Sequence, residues 1–228
     1  MDSSSIKFLN NYHYDNAVIN SVIEQDIYNF KTWAPFRSPK FIVDIGSHLG
    51  SFSFLAATMY PRAQIISYEL IKEYYETSLK NLQAFPNTSV FNKSVIGFQK
   101  PEGVWKADNI YGSRLLFKEG YGIVRTDSLE QISGGCFEKV KLDCTNFEEI
   151  FRDFDIDYID YLKVNCEGGE YEIFAFLHRT GLIDKILFLA AELHGPVQDQ
   201  EVLKTFLKNN FSKCEYKEDR NIFLCSKN

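Results

Sequence analysis

The sequence predicts an α/β fold: a doubly wound, mostly parallel sheet of about seven strands, with helices on both faces and a C-terminal antiparallel hairpin. Short apolar runs alternate with helical patterns along most of the chain. One run, residues 41–45, leads into a glycine turn and then a helix, which is how an open α/β sheet builds a nucleotide-type pocket. Another, 185–193, is nearly all apolar, as expected for a strand covered on both faces.

The composition is that of one soluble globular domain. The chain has 228 residues, of which 45% are hydrophobic and 25% charged, a typical balance for a packed domain. The formal net charge of -6 argues against nucleic acid as the main partner, because such partners favour basic surfaces. No window reaches about 18 consecutive apolar residues, so the sequence predicts no membrane span.

The first residues and the cysteines indicate a cytoplasmic protein. Residues 1–5 have neither the basic start nor the apolar core of a secretory signal. The five cysteines are scattered, and no two form a C-x-x-C pair. This pattern predicts reduced thiols rather than a disulfide framework or a zinc site.

The N-terminal region, residues 1–39, is predicted to be an arm followed by a covering helix. Residues 1–13 show little periodicity. Over 15–33, apolar residues recur at helical steps, which predicts one amphipathic helix that covers one end of the sheet. Two prolines follow it and end the helix. The main domain is then expected over 40–228.

The glycine turn after the first strand supplies the first candidate binding residues. Asp44 would repel a phosphate but attract a cationic or hydroxyl-bearing ligand, and the glycines let the backbone approach a ligand because they carry no Cβ. The spacing D-x-G-x-x-x-G is not the dinucleotide pattern G-x-G-x-x-G. It resembles the first motif of class I S-adenosylmethionine (SAM) methyltransferases, in which the acid and the glycine backbone hold the amino-acid end and ribose of SAM. The cofactor-binding residues that this resemblance implies are Asp44, Gly46, Ser47, His48, Gly50 and Ser51.

The next two strands add candidates for the remainder of that cofactor. After a helix over 51–60, a strand over 64–69 ends in Glu69. An acid about 20 residues beyond the glycine turn commonly binds the two ribose hydroxyls, although an acid also favours the start of a helix, here predicted over 71–84. A strand over 88–95 follows, and its polar end is placed to line the adenine side, although turn residues would give the same pattern. Further cofactor contacts are predicted at Leu70, Asn92, Lys93 and Ser94.

Residues 97–135 interrupt the alternation of strands and helices. Their glycines keep no fixed spacing, so the segment is not a repeat, and it is predicted to be an irregular or β-rich insertion beside the pocket. Its aromatic side chains either stack on a flat ligand such as a sugar face or pack the insertion itself. A short strand over 140–142 and a helix over 146–154 follow. The aromatic residues concerned are Trp105, Tyr111 and Tyr121.

The second informative stretch is residues 157–170, a strand that runs into a glycine turn before a helix over 171–179. Asn165 and Glu167 fall at the carboxyl end of this fourth strand, where an open α/β sheet holds its ligand. They are predicted to face the cofactor and the acceptor, although Asn is also a common helix cap. Glu192, Leu193 and His194 lie at the end of the fifth strand, 185–193. A helix over 198–209 and a hairpin over 212–216 and 221–225 complete the pattern.

Several motifs in this order resemble the FkbM-type methyltransferase family. The resemblance covers about 40–226 and implies a Rossmann-like, SAM-dependent O-methyltransferase that acts on a hydroxyl of a sugar, glycan or related natural product. Its specific part is the stretch on the fourth strand. The matching motifs are VDIGSHLG (43–50), YEL (68–70), YYETSLKNL (74–82), LKVNCEGGE (162–170) and ELH (192–194).

Three residues depart from the pattern of this family. His48 stands where the family usually has Asn, and Leu70 where it usually has Pro. Asn165 replaces the usual Asp. An amide still accepts a hydrogen bond, but it cannot act as a carboxylate base or neutralise a cation.

His194 is the candidate catalytic base, because an unperturbed imidazole titrates near neutrality and this one follows the fifth strand. Glu192 or Glu167 could orient it. Together with Asn165, these groups could also hold a divalent cation. Since an amide replaces one of the acids, the sequence predicts no metal.

Two alternatives to the O-methyltransferase stay open at this point. One is a non-catalytic SAM-fold module that binds a partner, suggested by Asn165. The other is an NAD or nucleotide-sugar enzyme built on a similar sheet. The acceptor is expected to be a small molecule or glycan with a free hydroxyl, and the sequence does not fix the oligomeric state.

Overall fold

The computed structural model describes residues 13–33, 38–97, 113–116, 122–125, 137–138, 143–166 and 168–227. These residues contain a main sheet of seven strands in the order β11-β12-β10-β9-β1-β2-β3. The five strands from β10 to β3 run parallel, and β12 and β11 add an antiparallel hairpin at one edge. The predicted Rossmann-like architecture is therefore confirmed. The strands of the sheet are β1 (Phe41–Ile45), β2 (Gln64–Tyr68), β3 (Thr88–Phe91), β9 (Tyr161–Val164), β10 (Phe188–Glu192), β11 (Lys213–Lys217) and β12 (Ile222–Ser226).

Helices cover both faces of this sheet, because neighbouring residues of a strand point to opposite faces and both sets are apolar. Val43 faces a core shared with α5, α6 and α7, whereas Ile42 faces a core shared with α1, α2 and α3. α4 packs against the second core through Tyr74. The helices are α1 (His13–Ile23), α2 (Phe30–Trp33), α3 (Ser51–Met59), α4 (Lys72–Leu82), α5 (Phe147–Asp153), α6 (Glu170–Arg179) and α7 (Val197–Asn210), with a 3-10 turn at Leu182–Lys185.

The single N-terminal helix predicted over 15–33 is wrong. The backbone leaves α1 after Ile23 and turns through left-handed conformations at Asp26 (φ 48°) and Asn29 (φ 53°) before α2 begins. The Asp26 carboxylate accepts hydrogen bonds from the backbone N–H of Phe30 (2.8 Å) and Lys31 (3.0 Å). An acid that satisfies the free donors of a helix start favours a new helix over continuation of the old one.

The strand predicted over 88–95 is divided in two. β3 ends at Phe91, and the following β4 (Ser94–Val95) leaves the main sheet to pair in parallel with β8 (Cys144–Thr145). Within the insertion, the described segments form a three-stranded antiparallel sheet of β5 (Ser113–Leu116), β6 (Gly122–Arg125) and β7 (Phe137–Glu138). The short strand predicted over 140–142 and the three aromatic residues of the insertion lie outside the described residues.

Two further predictions concern membrane insertion and disulfide bonds. No helix in the described ranges is long and apolar enough to cross a membrane. The four cysteines that the structure describes, Cys144, Cys166, Cys214 and Cys225, are free thiols.

Candidate active site

The candidate site lies along the sheet edge where the five parallel strands end. β1 lies between β2 and β9, so the chain leaves β1 towards one side and returns on the other. Such a reversal of strand order opens a crevice above the carboxyl ends, which is where α/β proteins bind nucleotide-type ligands. The loops after β1, β2, β9 and β10 border this crevice.

The glycines of the turn after β1 are required by close contacts with the protein itself. Gly46 has a φ of +72°, and a Cβ at this position would lie 1.7 Å from the backbone oxygen of Asn165. Gly50 has a φ of +82°, and its Cβ would lie 2.6 Å from Ser78 Oγ. The sequence interpretation gave these glycines a close approach to a ligand. The structure shows that they let the turn pack against the end of β9 and against α4.

The Asp44 carboxylate is held by protein groups in this structure, and its predicted contact with the cofactor stays a prediction. The residue is fully buried on the α3 side of β1, where its Oδ2 accepts a hydrogen bond from Ser53 Oγ at 2.7 Å. Its Oδ1 forms an ion pair with Lys163 Nζ at 3.0 Å. Asp44 therefore supports the glycine turn through its contacts with Ser53 and Lys163.

Lys163 links the two central strands beneath the turn. It is the register partner of Asp44 across β1 and β9, and it is only 4% exposed. Besides Asp44, its Nζ donates to the backbone oxygens of Gly46 (2.6 Å) and Ile45 (3.3 Å). A buried cation with this many acceptors holds the glycine turn in one position.

Glu69 lies directly above the end of β2, as predicted, and receives two backbone donors. Its Oε2 accepts from His48 N–H and its Oε1 from Ile71 N–H, each at 2.7 Å. Burial raises the pKa of this carboxyl to about 7, and the two backbone hydrogen bonds and Lys163 oppose the shift. Each oxygen keeps lone pairs for further donors, which suits the two hydroxyls of a ribose.

His48 is a structural part of the turn. Its φ of 54° is left-handed, and its ring lies 3.9 Å, centroid to centroid, from the ring of Tyr74. Burial, with a contribution from Lys163, lowers the pKa of the imidazole to about 4, so the ring is neutral at physiological pH.

Two hydroxyls of the turn fit a polar ligand group. Ser47 is 4% and Ser51 3% exposed, and neither Oγ has a hydrogen-bond partner among the described residues. Because a buried hydroxyl without a partner is costly, these two atoms suit the charged amino-acid end of SAM.

The remaining predicted cofactor residues follow the ends of β2 and β3. The Asn92 amide donates to the backbone oxygens of Glu69 (2.9 Å) and Leu70 (2.8 Å), so it ties the end of β3 to the end of β2. Lys93 Nζ lies 6.0 Å from the ring centroid of Phe91. Ser94 belongs to β4, where its N–H donates to Asp143 O at 2.8 Å.

On the other side of β9, Asn165 and Glu192 come together as predicted. The Asn165 amide donates to Glu192 Oε2 at 2.7 Å and to the Tyr28 hydroxyl at 3.3 Å. The Tyr28 hydroxyl also hydrogen-bonds Glu192. Burial raises the pKa of Glu192, while the neighbouring His194 and Lys163 lower it. The amide thus holds a carboxylate at the end of β10.

His194 has a different orienting group from those predicted. Its Nδ1 lies 2.8 Å from Oε1 of Glu170, a residue that is fully buried at the start of α6. Its Nε2 lies 3.8 Å from Glu192 Oε1, and the His194 side chain is 22% exposed. A buried carboxylate at Nδ1 leaves Nε2 as the nitrogen that can accept a proton. Glu167, the other predicted partner, lies outside the described residues.

Glu170 also shapes the turn that follows β9. Its carboxylate accepts from the backbone N–H of Cys166 (3.1 Å) and of Gly168 (2.8 Å). The Tyr171 hydroxyl donates to His194 O at 2.6 Å, a second link between this helix and the end of β10. One carboxylate therefore positions both a loop and an imidazole.

Sequence reasoning missed three residues of this site. Lys163 and Asp44 are each a lone charge in an otherwise apolar strand, a signal that could have paired them. Glu170 closes the motif 162–170 but was not given a role. Tyr28 has no sequence signal, because its place depends on the unpredicted turn before α2. Among the described residues, no group of three or more His, Cys, Asp or Glu side chains is arranged to hold a metal ion.

The chain matches the methyltransferase FkbM domain family over residues 44–217, which include the glycine turn, Glu69, Asn165, Glu170 and His194. The chain belongs to this family. Its cofactor is S-adenosylmethionine. This membership confirms the resemblance and excludes the NAD alternative.

Individual proteins show more distant likeness. The methyltransferase sdnD of Sordaria araneosa is 24% identical over 159 residues, and the match spans 61% of this chain and 61% of sdnD. The precorrin-6y C5,15-methyltransferase of Geobacter metallireducens is 14% identical with a TM-score of 0.44, covering 98% of this chain and 93% of that one. A SAM-dependent methyltransferase of Aquifex aeolicus is 10% identical with a TM-score of 0.45, covering 99% and 97%.

Proposed function

We propose that this chain is a SAM-dependent O-methyltransferase that transfers a methyl group to a hydroxyl of a sugar, glycan or related small molecule. The observation that carries the proposal is the contact between His194 Nδ1 and the buried Glu170 at the end of β10. It supplies an oriented base beside the crevice. A hydroxyl acceptor needs such a base, because its proton must leave as the oxygen becomes methylated.

The residues around the glycine turn fit SAM. Ser47 and Ser51 would bind its amino-acid end, Glu69 the ribose hydroxyls, and the region of Leu70 and Asn92 the adenine. Bound there, SAM supplies an electrophilic methyl group. The buried pair of Asp44 and Lys163 keeps the turn in place.

The base acts through one nitrogen. With Nδ1–H donated to Glu170, His194 Nε2 would take the proton of the acceptor hydroxyl. The acceptor oxygen would keep the electron pair that bonds the methyl carbon, while the bond from that carbon to sulfur breaks and SAH leaves. Glu170 then faces an imidazolium ion, which its negative charge stabilises. Glu192, held by Asn165 and Tyr28, lies within reach of a second acceptor hydroxyl and orients the acceptor.

Asn165 determines which residue in this mechanism can act as the base. The amide cannot take a proton, so the base role belongs to His194 rather than to the residue at the end of β9. The competing proposal, a SAM-binding module without catalysis, is favoured by the same substitution. The two differ in whether a methyl group reaches any hydroxyl acceptor.

The test combines binding and turnover. Calorimetry with S-adenosylhomocysteine (SAH) is expected to show binding, and SAM labelled in its methyl group is expected to label at least one hydroxyl acceptor from a panel of mono- and disaccharides. His194→Gln should lower kcat about 10²- to 10⁴-fold with unchanged affinity for SAH. The control is His178→Gln, an exposed imidazole on α6.

Each result decides between the two proposals. SAH binding without transfer to any hydroxyl would support the non-catalytic module. Transfer that persists at the wild-type rate in His194→Gln would remove His194 as the base while leaving the enzyme in place.

A further inference from the structure

An open cleft lies on the C-terminal side of the candidate site. It has a volume of about 610 Å³ and is bounded by the end of β10, the start of α7 and the turn between β11 and β12. This volume falls in the range typical of small-molecule sites. Apart from Glu192, the residues that line the cleft have no role in the predictions made from the sequence.

The cleft is continuous with the candidate catalytic residues through Glu192. Glu192 lines the cleft, and its carboxylate contacts Asn165 (2.7 Å) and lies 3.8 Å from His194 Nε2. A molecule in the cleft that binds Glu192 would therefore present a neighbouring group to the imidazole. The glycine turn lies beyond β9, on the opposite side of this cluster.

The walls of the cleft combine apolar and hydrogen-bonding groups. Val197, at the start of α7, is 71% exposed and offers an apolar surface. Gln200 is buried at the base, where its amide Nε2 donates to Gly195 O at 2.9 Å. Tyr216 and Asn221 line the far wall and are joined by a hydrogen bond from the tyrosine hydroxyl to the asparagine oxygen. Alternating C–H faces and hydroxyls of a sugar suit such a surface.

The charges of the cleft disfavour an anionic ligand. Both cations already have partners: Lys204 Nζ lies 2.8 Å from Glu201 and 3.6 Å from the ring centroid of Tyr216. Arg220 donates to Gln25 at 2.9 Å, and its Nε lies 3.8 Å from Asp219. The acidic lining residues, Glu192, Glu218 and Asp219, outnumber these two cations. A phosphate or carboxylate entering the cleft would therefore meet net negative charge.

We infer that this cleft is the acceptor site, and that it takes a neutral, polyhydroxylated acceptor of the sugar type in preference to a phosphorylated or acidic one. The inference rests on the proposed function, since it names where the methylated hydroxyl is held. Val197 and Gln200 then determine which acceptor is bound, and Glu192 joins the acceptor to the catalytic cluster.

The test is a matched pair of substitutions on α7. Val197→Trp fills the cleft, whereas Val202→Trp adds the same bulk at a residue that is also 71% exposed but does not line the cleft. Neither change removes a buried contact, so both variants should fold. Full-length protein loaded with SAH is titrated with the methyl glycosides of glucose, galactose and mannose and with their 6-phosphates, and saturation-transfer NMR measures binding.

At least one neutral glycoside is expected to bind the wild type and Val202→Trp, and Val197→Trp should weaken that binding at least about tenfold. Gln200→Ala should weaken it about fivefold, the loss typical of one hydrogen bond. The corresponding 6-phosphate should bind more weakly than the neutral sugar. The inference is overturned if no neutral glycoside binds, if Val197→Trp binds as well as Val202→Trp, or if the phosphate binds more tightly.

These outcomes are separable from those of the proposed function. Methyl transfer that Val197→Trp leaves unaffected would sustain the O-methyltransferase and place its acceptor elsewhere. Glycoside binding that depends on Val197, without methyl transfer to any hydroxyl, would support the cleft as a sugar-binding site. It would also favour the non-catalytic module.

Discussion

Glu69 is a carboxylate whose acidity is set by its surroundings. It is 6% exposed, so loss of hydration favours the neutral form and raises the pKa. The two backbone donors and Lys163 favour the ionised form, but they offset only part of this rise. A group that is half-protonated near neutrality can report the arrival of a ligand that donates hydrogen bonds to it.

The affinity for SAH is therefore expected to rise with pH. The pKa of Glu69 is about 7 without ligand, and ribose hydroxyls favour the ionised form, so Kd should fall about tenfold between about pH 6 and pH 8. Calorimetry across this range measures the change. Glu69→Gln should bind more weakly and without this pH dependence, while the exposed Glu73→Gln should behave like the wild type. A flat profile in the wild type would remove Glu69 from the ribose site.

Asn165→Asp would restore the acid usual in the family, and it should destabilise this protein. Its carboxylate would lie about where the amide now stands, 2.7 Å from Glu192, whose pKa is already raised by burial. Two carboxyl groups at this distance share one proton, which raises the pKa of the pair above its value in the unfolded chain.

The sign of the pH dependence follows from that raised pKa. The folded variant binds more protons than the unfolded chain, so its unfolding free energy should fall as pH rises, by about 2 kcal/mol relative to the wild type at about pH 8 and less at about pH 5. Denaturant unfolding at both pH values checks this. Asn209→Asp, an exposed change on α7, is the control. Equal stability of Asn165→Asp and the wild type at pH 8 would contradict the geometry of the pair.

At the scale of elements, the glycine turn is held by its neighbours rather than by its own sequence. Gly46 meets the end of β9, Gly50 meets α4, and Lys163 donates to the turn from below. Because β9 is separated from the turn by more than 100 residues, its contribution could not be foreseen from the local motif.

Gly46→Ala tests this packing against a matched glycine. Gly181 has the same φ of +72°, but a Cβ there would meet nothing within 4 Å. Gly181→Ala should cost about 1–2 kcal/mol, the price of a left-handed alanine, whereas Gly46→Ala should cost at least about 2 kcal/mol more because its Cβ overlaps a backbone carbonyl. Thermal or denaturant unfolding measures both. Equal losses would show that conformation alone, rather than contact with β9, requires the glycine.

Regular elements were predictable where the apolar pattern was uninterrupted. β1 has the predicted bounds, and the other main strands and helices differ by a few residues. The failures arose where a single polar side chain redirects the backbone, as Asp26 does before α2. Within the site, Asn165, Glu192 and His194 were brought together correctly by the rule that parallel strands end at one edge. The buried role of Asp44 and the contacts of Glu170 required side-chain positions that no pattern contains.

At the scale of the whole molecule, the N-terminal segment belongs to the site even though the family match begins at residue 44. The Tyr161 hydroxyl donates to Tyr28 O at 2.6 Å, and Lys217 Nζ donates to Ile27 O at 3.0 Å. Phe30 is fully buried against the rings of Phe52, Tyr60 and Tyr161. Residues 16–32 are therefore joined to the main domain by hydrogen bonds and aromatic contacts.

Phe30→Ala is expected to lower the unfolding free energy by about 3–5 kcal/mol, because it empties the centre of an aromatic cluster. It should also weaken turnover at temperatures where the variant stays folded, since Tyr28 depends on this anchor. The exposed neighbour Thr32→Ala should change stability by less than about 0.5 kcal/mol. Denaturant unfolding measures both variants. If Phe30→Ala lowers the unfolding free energy no more than Thr32→Ala does, the packing of this segment contributes nothing to the stability of the domain.

The contacts of this segment also bear on how the protein is made. Ile27 and Gln25 bind Lys217 and Arg220, partners that lie 190 and 195 residues later in the chain. During synthesis the segment leaves the ribosome long before the hairpin that secures it. Because contacts between distant residues form slowly, the hydrogen bonds of Ile27 and Gln25 are completed only after the last strands have emerged. Phe30 has ring partners that are synthesised earlier, namely Phe52, Tyr60 and Tyr161, so it can be buried before those last contacts form.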